Sequence, residues 1–144
     1  MTHPQKTQRE KGQSLVEMAV GVTFLLLLLS GIVDLGRAFF SYIAIRDAAQ
    51  EGALYGSYSP ADVTGIAKRV RSSSSYPVNL NNTTDISVNT SLSGAACAGN
   101  AVTVTVQYKF PISMPFIGAV IGRQMIPLKA AVTDTILRPK CVTP

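Results

Sequence analysis

Few residues in this chain have the type and spacing to do chemistry. One carboxylate, Glu17, stands two residues into an apolar run over residues 15–33 and is the only charge in it. An ionisable group so placed is costly and is a functional candidate by default, with a partner to be named. Its chemistry would be electrostatic: pairing with a cation where water is scarce. Enzymatic chemistry is harder to assemble. The single histidine, His3, lies in the N-terminal tail, which removes histidine triads, metal sites and general bases from the rest of the chain. There is no Cys-x-x-Cys, no glycine-rich phosphate loop before a helix and no serine nucleophile elbow. Asp62, Asp85 and Asp134 stand singly. The sequence therefore predicts a non-enzyme, with no catalytic residue, metal or cofactor.

The element that must position Glu17 is a helix. At about 1.5 Å per residue the run 15–33 extends about 28 Å, close to the hydrocarbon thickness of a bilayer. The chain is 15% charged, against roughly 25% for a typical soluble domain. Its net charge of +5 is unevenly spread. Lys6, Arg9 and Lys11 precede the span against one acid, Glu10. Basic residues flanking a span mark its cytoplasmic side, so the bulk of the chain is expected outside the inner membrane. There the two cysteines, Cys97 and Cys141, favour one disulfide. It would close a loop of about 45 residues, worth roughly 3–4 kcal/mol in the chain-entropy picture. The alternative is two separate reduced thiols. The polar residues 1–12 do not read as a secretory signal, whose small-residue cleavage site follows the apolar core; here Gly12 precedes it.

Gly12-Gln13-Ser14-Leu15-Val16-Glu17 resembles the processing site of prepilins. In that family a membrane peptidase cuts after the glycine, and a glutamate stands fifth in the mature chain. Gln-Ser-Leu-Val-Glu, the poly-leucine run, Gly31-Ile32-Val33-Asp34-Leu35-Gly36-Arg37-Ala38-Phe39 and Ile45-Arg46-Asp47-Ala48-Ala49-Gln50-Glu51-Gly52-Ala53 are similar to the TadE-like family. These are minor pilins, or pseudopilins, of the Tad branch of type IV pili. The resemblance covers about residues 12–54. It implies processing at Gly12 and Gln13. It further implies a filament core in which Glu17 of one subunit meets the freed N-terminal amine of another, or, without cleavage, Lys11 or Arg9 of a neighbour. It implies as partners other copies or other pilins, the prepilin peptidase and assembly machinery, and the inner membrane before assembly. No nucleic acid is expected.

Beyond the span, nothing before Ser57 breaks the helix except isolated glycines. Leu35, Phe39, Tyr42, Ala49 and Ala53 share one side, while Ile32, Ile43, Ile45 and Leu54 lie elsewhere. A helix apolar most of the way round wants burial on several sides. Ser30, Asp34, Arg37 and Ser41 form a narrow polar seam, in which Asp34 and Arg37 can pair. That pair reads either as a membrane-exit feature or as an assembly contact between subunits. Ser59-Pro60-Ala61-Asp62 starts a second helix, with Ser59 as its cap and Val63, Ile66, Ala67 and Val70 as its apolar face. Lys68, Arg69 and Arg71 near its end complement the helix dipole, or else form a cationic patch. Alternating apolar residues mark strands at Ile86 and Val88, at Val102 to Phe110, and from Leu128 through Ala130 and Val132 to about Leu137. Between the last two strands, Phe116, Ile117, Val120 and Ile121 make the connection unusually apolar. They either pack on the chain's own helix or form an interface with another subunit or the membrane surface. Asn81 and Asn82 head overlapping Asn-x-Thr triplets, relevant only where surface proteins are glycosylated.

The expected fold class is α+β. Residues 1–12 form a basic leader, 13–57 a long helix serving as membrane span and filament core, and 58–144 a small extracytoplasmic domain. That domain holds a short helix and an antiparallel sheet of about three strands. The expected function is a structural subunit of a Tad-type pilus or related surface filament, for adhesion or surface attachment. The alternative is a single-span envelope protein whose outer domain binds a ligand or partner without polymerising.

Overall fold

A computed structural model describes residues 7–114 and 122–141, with side chains from Gly12 onward. Helix α1 (Thr7–Tyr58) has 52 residues, about 78 Å at roughly 1.5 Å per residue. It begins six residues earlier than the expected start at Gln13. Arg9, Glu10 and Lys11 are good helix formers, and one interior glycine costs only about 1 kcal/mol relative to alanine. Residues 7–12 therefore join the apolar run without a break.

The two halves of α1 differ. From Gly12 to Leu26 every side chain is exposed. After Asp34 a buried stripe appears: Asp34, Ser41, Ile45, Ala48, Ala49, Gly52, Ala53 and Gly56. Steps of three, four and seven keep these residues on one face. The stripe selects one of the several apolar sides. Ala49 and Ala53 are buried, but Leu35, Phe39 and Tyr42 are exposed, and Ile45, fully buried, is the large residue in the middle. The face that packs is the one with small residues, because they let the sheet and a second helix come close.

That second helix, α2 (Val63–Ser72), is capped by Asp62 rather than Ser59. Ser59 and Pro60 form the turn before it, closed by the Asp62 N–H donating to the Ser59 carbonyl at 3.1 Å. The cap thus moves three residues along. Ile66 and Val70 are buried, whereas Val63 stays exposed. Strands β1 (Ile86–Leu92), β2 (Ala101–Pro111) and β3 (Met125–Thr135) form an antiparallel meander in that order. The fold is α+β as expected. On β2 the alternation sends Val102, Val104, Val106 and Phe110 into the core, while Thr103 on the other face shares a 2.8 Å hydroxyl hydrogen bond with Thr133.

α1 and β2 run antiparallel. A Cβ built on Gly56 would lie 3.1 Å from Val102 Cγ2, and one on Gly52 would lie 3.2 Å from Val104 Cγ1 and 2.5 Å from Val70 Cγ2. The chain end is tied down as well. Cys97 and Cys141 form a disulfide with Cα atoms 4.9 Å apart, and the Ser57 carbonyl accepts from the N–H groups of Leu137 at 2.7 Å and Arg138 at 3.3 Å.

Gly52 is therefore a contact that only a missing Cβ allows. Gly52→Val is expected to cost about 1–3 kcal/mol through overpacking and to lower Tm by several degrees in a thermal melt followed by circular dichroism. Gly36→Ala, where a Cβ meets nothing within 4 Å, is expected to leave Tm unchanged or slightly higher.

Candidate assembly interface

The exposed half of α1 is built from residues that water does not favour. Leu15, Phe24, Leu25, Ile32 and Val33 all stand open. The helix is long and apolar enough to cross a membrane, and none of its most apolar stretch is buried within the chain. Polar groups here satisfy themselves where they can: the Thr23 hydroxyl donates to the Ala19 carbonyl at 2.8 Å. Glu17 does not. It is exposed and has no hydrogen-bond or ion-pair partner among the described residues. Gly12 and Gln13 lie on the same exposed stretch, with open space around Gly12.

At the other end of the apolar run, one carboxylate holds the domain to the helix. Asp34 is 9% exposed. Its Oδ2 accepts backbone N–H groups from Ser113 at 2.9 Å and Met114 at 2.7 Å, and its Oδ1 accepts from Arg37 Nη1 at 3.0 Å. The same Arg37 nitrogen also donates to the Ser113 hydroxyl. The guanidinium lies over the Phe110 ring, 5.5 Å from its centre, an arrangement of cation on aromatic face that adds attraction. The polar seam on α1 therefore includes an intrachain clamp on the segment leaving β2. Side-chain spacing revealed the Asp34–Arg37 pair but not its partners at 113 and 114, because those are backbone donors 79 and 80 residues away. Phe116, Ile117, Val120 and Ile121, expected as a possible interface, lie outside the described residues.

Residues 12–54 match the TadE-like protein family. No curated protein and no solved structure matches the chain. The TadE-like segment contains Gly12, Gln13, Glu17, Asp34 and Arg37, and it ends within α1, before α2 and the sheet. The match thus falls on the bare apolar helix and on the α1 side of the clamp. It is a match to a pilin-like family associated with the Tad pilus.

Two further features lie beyond the matched segment or beside it. Asp62 accepts from the Gly65 N–H at 2.9 Å, the Thr64 hydroxyl at 2.9 Å and the Tyr55 hydroxyl at 2.9 Å. The Gly65 N–H foremost, then Thr64 and Tyr55, hold its carboxyl below the usual carboxylate range. Donating to that carboxylate raises the Tyr55 phenol in turn. The cap needs Gly65, since a Cβ there would overlap the Asp62 carboxylate. Separately, where α2 ends, α1 and β2 leave an open groove of about 830 Å³ lined by Phe40, Asp47, Glu51, Tyr76, Tyr108 and Phe110. Burial pushes the Tyr108 phenol up.

Asp34→Ala removes the acceptor for two backbone N–H groups, each costing about 1–3 kcal/mol if left unpaired away from water. Amide hydrogen exchange at Ser113 and Met114 is expected to accelerate at least tenfold, with Asp34→Asn giving a smaller effect. For Asp62 the folded pKa is depressed, so its contribution is complete above the ordinary carboxylate pKa of about 3.9. It is lost as pH falls through the lower folded value. The Gly65 amide resonance is expected to titrate in that acid range, and Asp62→Asn to abolish the titration.

Proposed function

We propose that this chain is a structural subunit of a Tad-type pilus or related surface filament, assembled through α1 and serving adhesion or surface attachment. The observation that carries this reading is the exposed apolar half of α1, which bears one carboxylate, Glu17, within the segment matching the TadE-like family. Such a surface is covered by lipid before assembly and by other α1 helices afterwards. The subunit inserts with its basic leader on the cytoplasmic side, and prepilin peptidase cleaves between Gly12 and Gln13. The new α-amine of Gln13 is a cation at neutral pH. In the filament core it pairs with Glu17 of a neighbour, each charge offsetting the other's desolvation and fixing axial register.

Removing one partner of a buried ion pair costs about 3–5 kcal/mol. Glu17→Ala is therefore expected to leave insertion and cleavage intact while lowering incorporation into sheared filaments by roughly two orders of magnitude or more. Wild-type incorporation of that variant would sink the proposal. Gly12→Val is expected to leave the leader attached, read as the mass of the intact precursor.

A second reading is favoured by the groove between α1 and β2, whose aromatic floor and acidic rim suit a ligand. There the chain is a single-span envelope protein that never polymerises. Its purified form would start at Met1, whereas the pilin reading requires a start at Gln13.

A further inference from the structure

The end of the β2–β3 hairpin lies at the level where α1 leaves its apolar run. Three observations place it there. The Ser113 and Met114 N–H groups are held by Asp34, the residue after Val33. The Met114 sulfur would lie 3.5 Å from a Cβ on Gly31, inside the run. Pro111 pairs with Met125 across the hairpin, and the Ile112 N–H donates to the Gln124 carbonyl at 3.1 Å, so both strands end together. The run 15–33 has the length of the hydrocarbon layer, about 30 Å, so Gly31 falls within a turn of its edge.

The side chains at this end are unusual for a domain surface. Met125 is 50% exposed and Ile126 41%, with Met114 and Ile112 half-buried beside them. Arg123 is exposed next to them, and the Arg37 side chain remains 47% exposed. The carboxylate in contact with this end, Asp34, is already engaged by three donors. Exposed apolar side chains beside Arg123 and the half-exposed Arg37 guanidinium match the headgroup layer of a bilayer containing anionic lipid.

We infer that the β2–β3 hairpin end is a second membrane contact, resting on the bilayer surface from which α1 emerges. Met125 and Ile126 enter the headgroup boundary, while Arg123 and Arg37 face lipid phosphates. The Asp34 clamp sets the depth, because it fixes the hairpin to α1 one residue beyond the span. Two attachment points hold the domain in one orientation against the membrane, where a lone helix would let it tumble. The inference rests on the reading of α1 as a membrane span.

The chain has no tryptophan, so a single introduced indole reports its own depth. Full-length Met125→Trp, Val63→Trp and Leu25→Trp variants are reconstituted into vesicles of phosphatidylethanolamine and phosphatidylglycerol with brominated acyl chains. Ile126→Trp replaces the first variant should it misfold. Emission of Met125→Trp is expected to fall about twofold relative to unbrominated vesicles, as for a side chain at the acyl boundary. Val63→Trp, at the far end of the domain, is expected to be unchanged. Leu25→Trp quenched with Met125→Trp unquenched overturns the hairpin contact and leaves the span reading standing. Leu25→Trp unquenched overturns the span reading itself. Quenching of Met125→Trp equal to that of Val63→Trp also overturns the contact.

Discussion

A helix surface that is apolar on all sides cannot be left in water, and the first half of α1 is such a surface. Residues 15–26 are exposed without exception. At roughly 25 cal/mol per Å² of apolar area, this unpaid burial is the largest available driving force in the molecule. Among the described residues the small domain does not cover it, since their contacts with α1 begin near Gly31 and Asp34. Something external must, and the two apolar environments open to a single helix are lipid and other helices. The proposed role of Glu17 is to make that surface more than a passive anchor. A plain anchor is better without a carboxylate there, whereas a helix that must find an axial register against its neighbours gains a reason to keep it.

The domain depends on the same helix in a different way. After Asp34 the packing face is made of alanine, glycine and serine around Ile45. These small side chains bring α1 against Val102, Val104 and Val70. The close fit makes helix and domain one unit between the Asp34 clamp at one end and the Ser57 carbonyl at the other. A force on the domain is therefore carried directly into α1, which suits a subunit of a filament.

Much of this was legible in the sequence, for physical reasons that differ by element. The apolar run and its one carboxylate are composition and need no partner to be seen. Strand β2 was plain because Val102, Val104 and Val106 alternate strictly with polar residues, the signature of a half-buried strand. Hydrophobicity alone does not single out the packing face of α1, because apolar residues surround the helix and the buried face is selected by small size. The α2 cap was placed at Ser59 because serine before proline is a good start signal. Asp62 wins because Gly65 leaves room for its carboxylate. Two facts had no side-chain pattern to reveal them: the acceptance by Asp34 of two backbone N–H groups, and the level at which the hairpin meets α1.

The chain thus combines a helix that needs outside cover with a domain locked to its exit point. The first carries a match to the TadE-like protein family over residues 12–54. The most direct test of the assembly role proposed for that helix is a density map of the filament built from this subunit, read at Glu17. The expected chain starts at Gln13, with its amine within about 3 Å of the Glu17 carboxylate of a neighbouring copy. A leader still joined to Gln13, or a Glu17 facing solvent with no cation beside it, would contradict it.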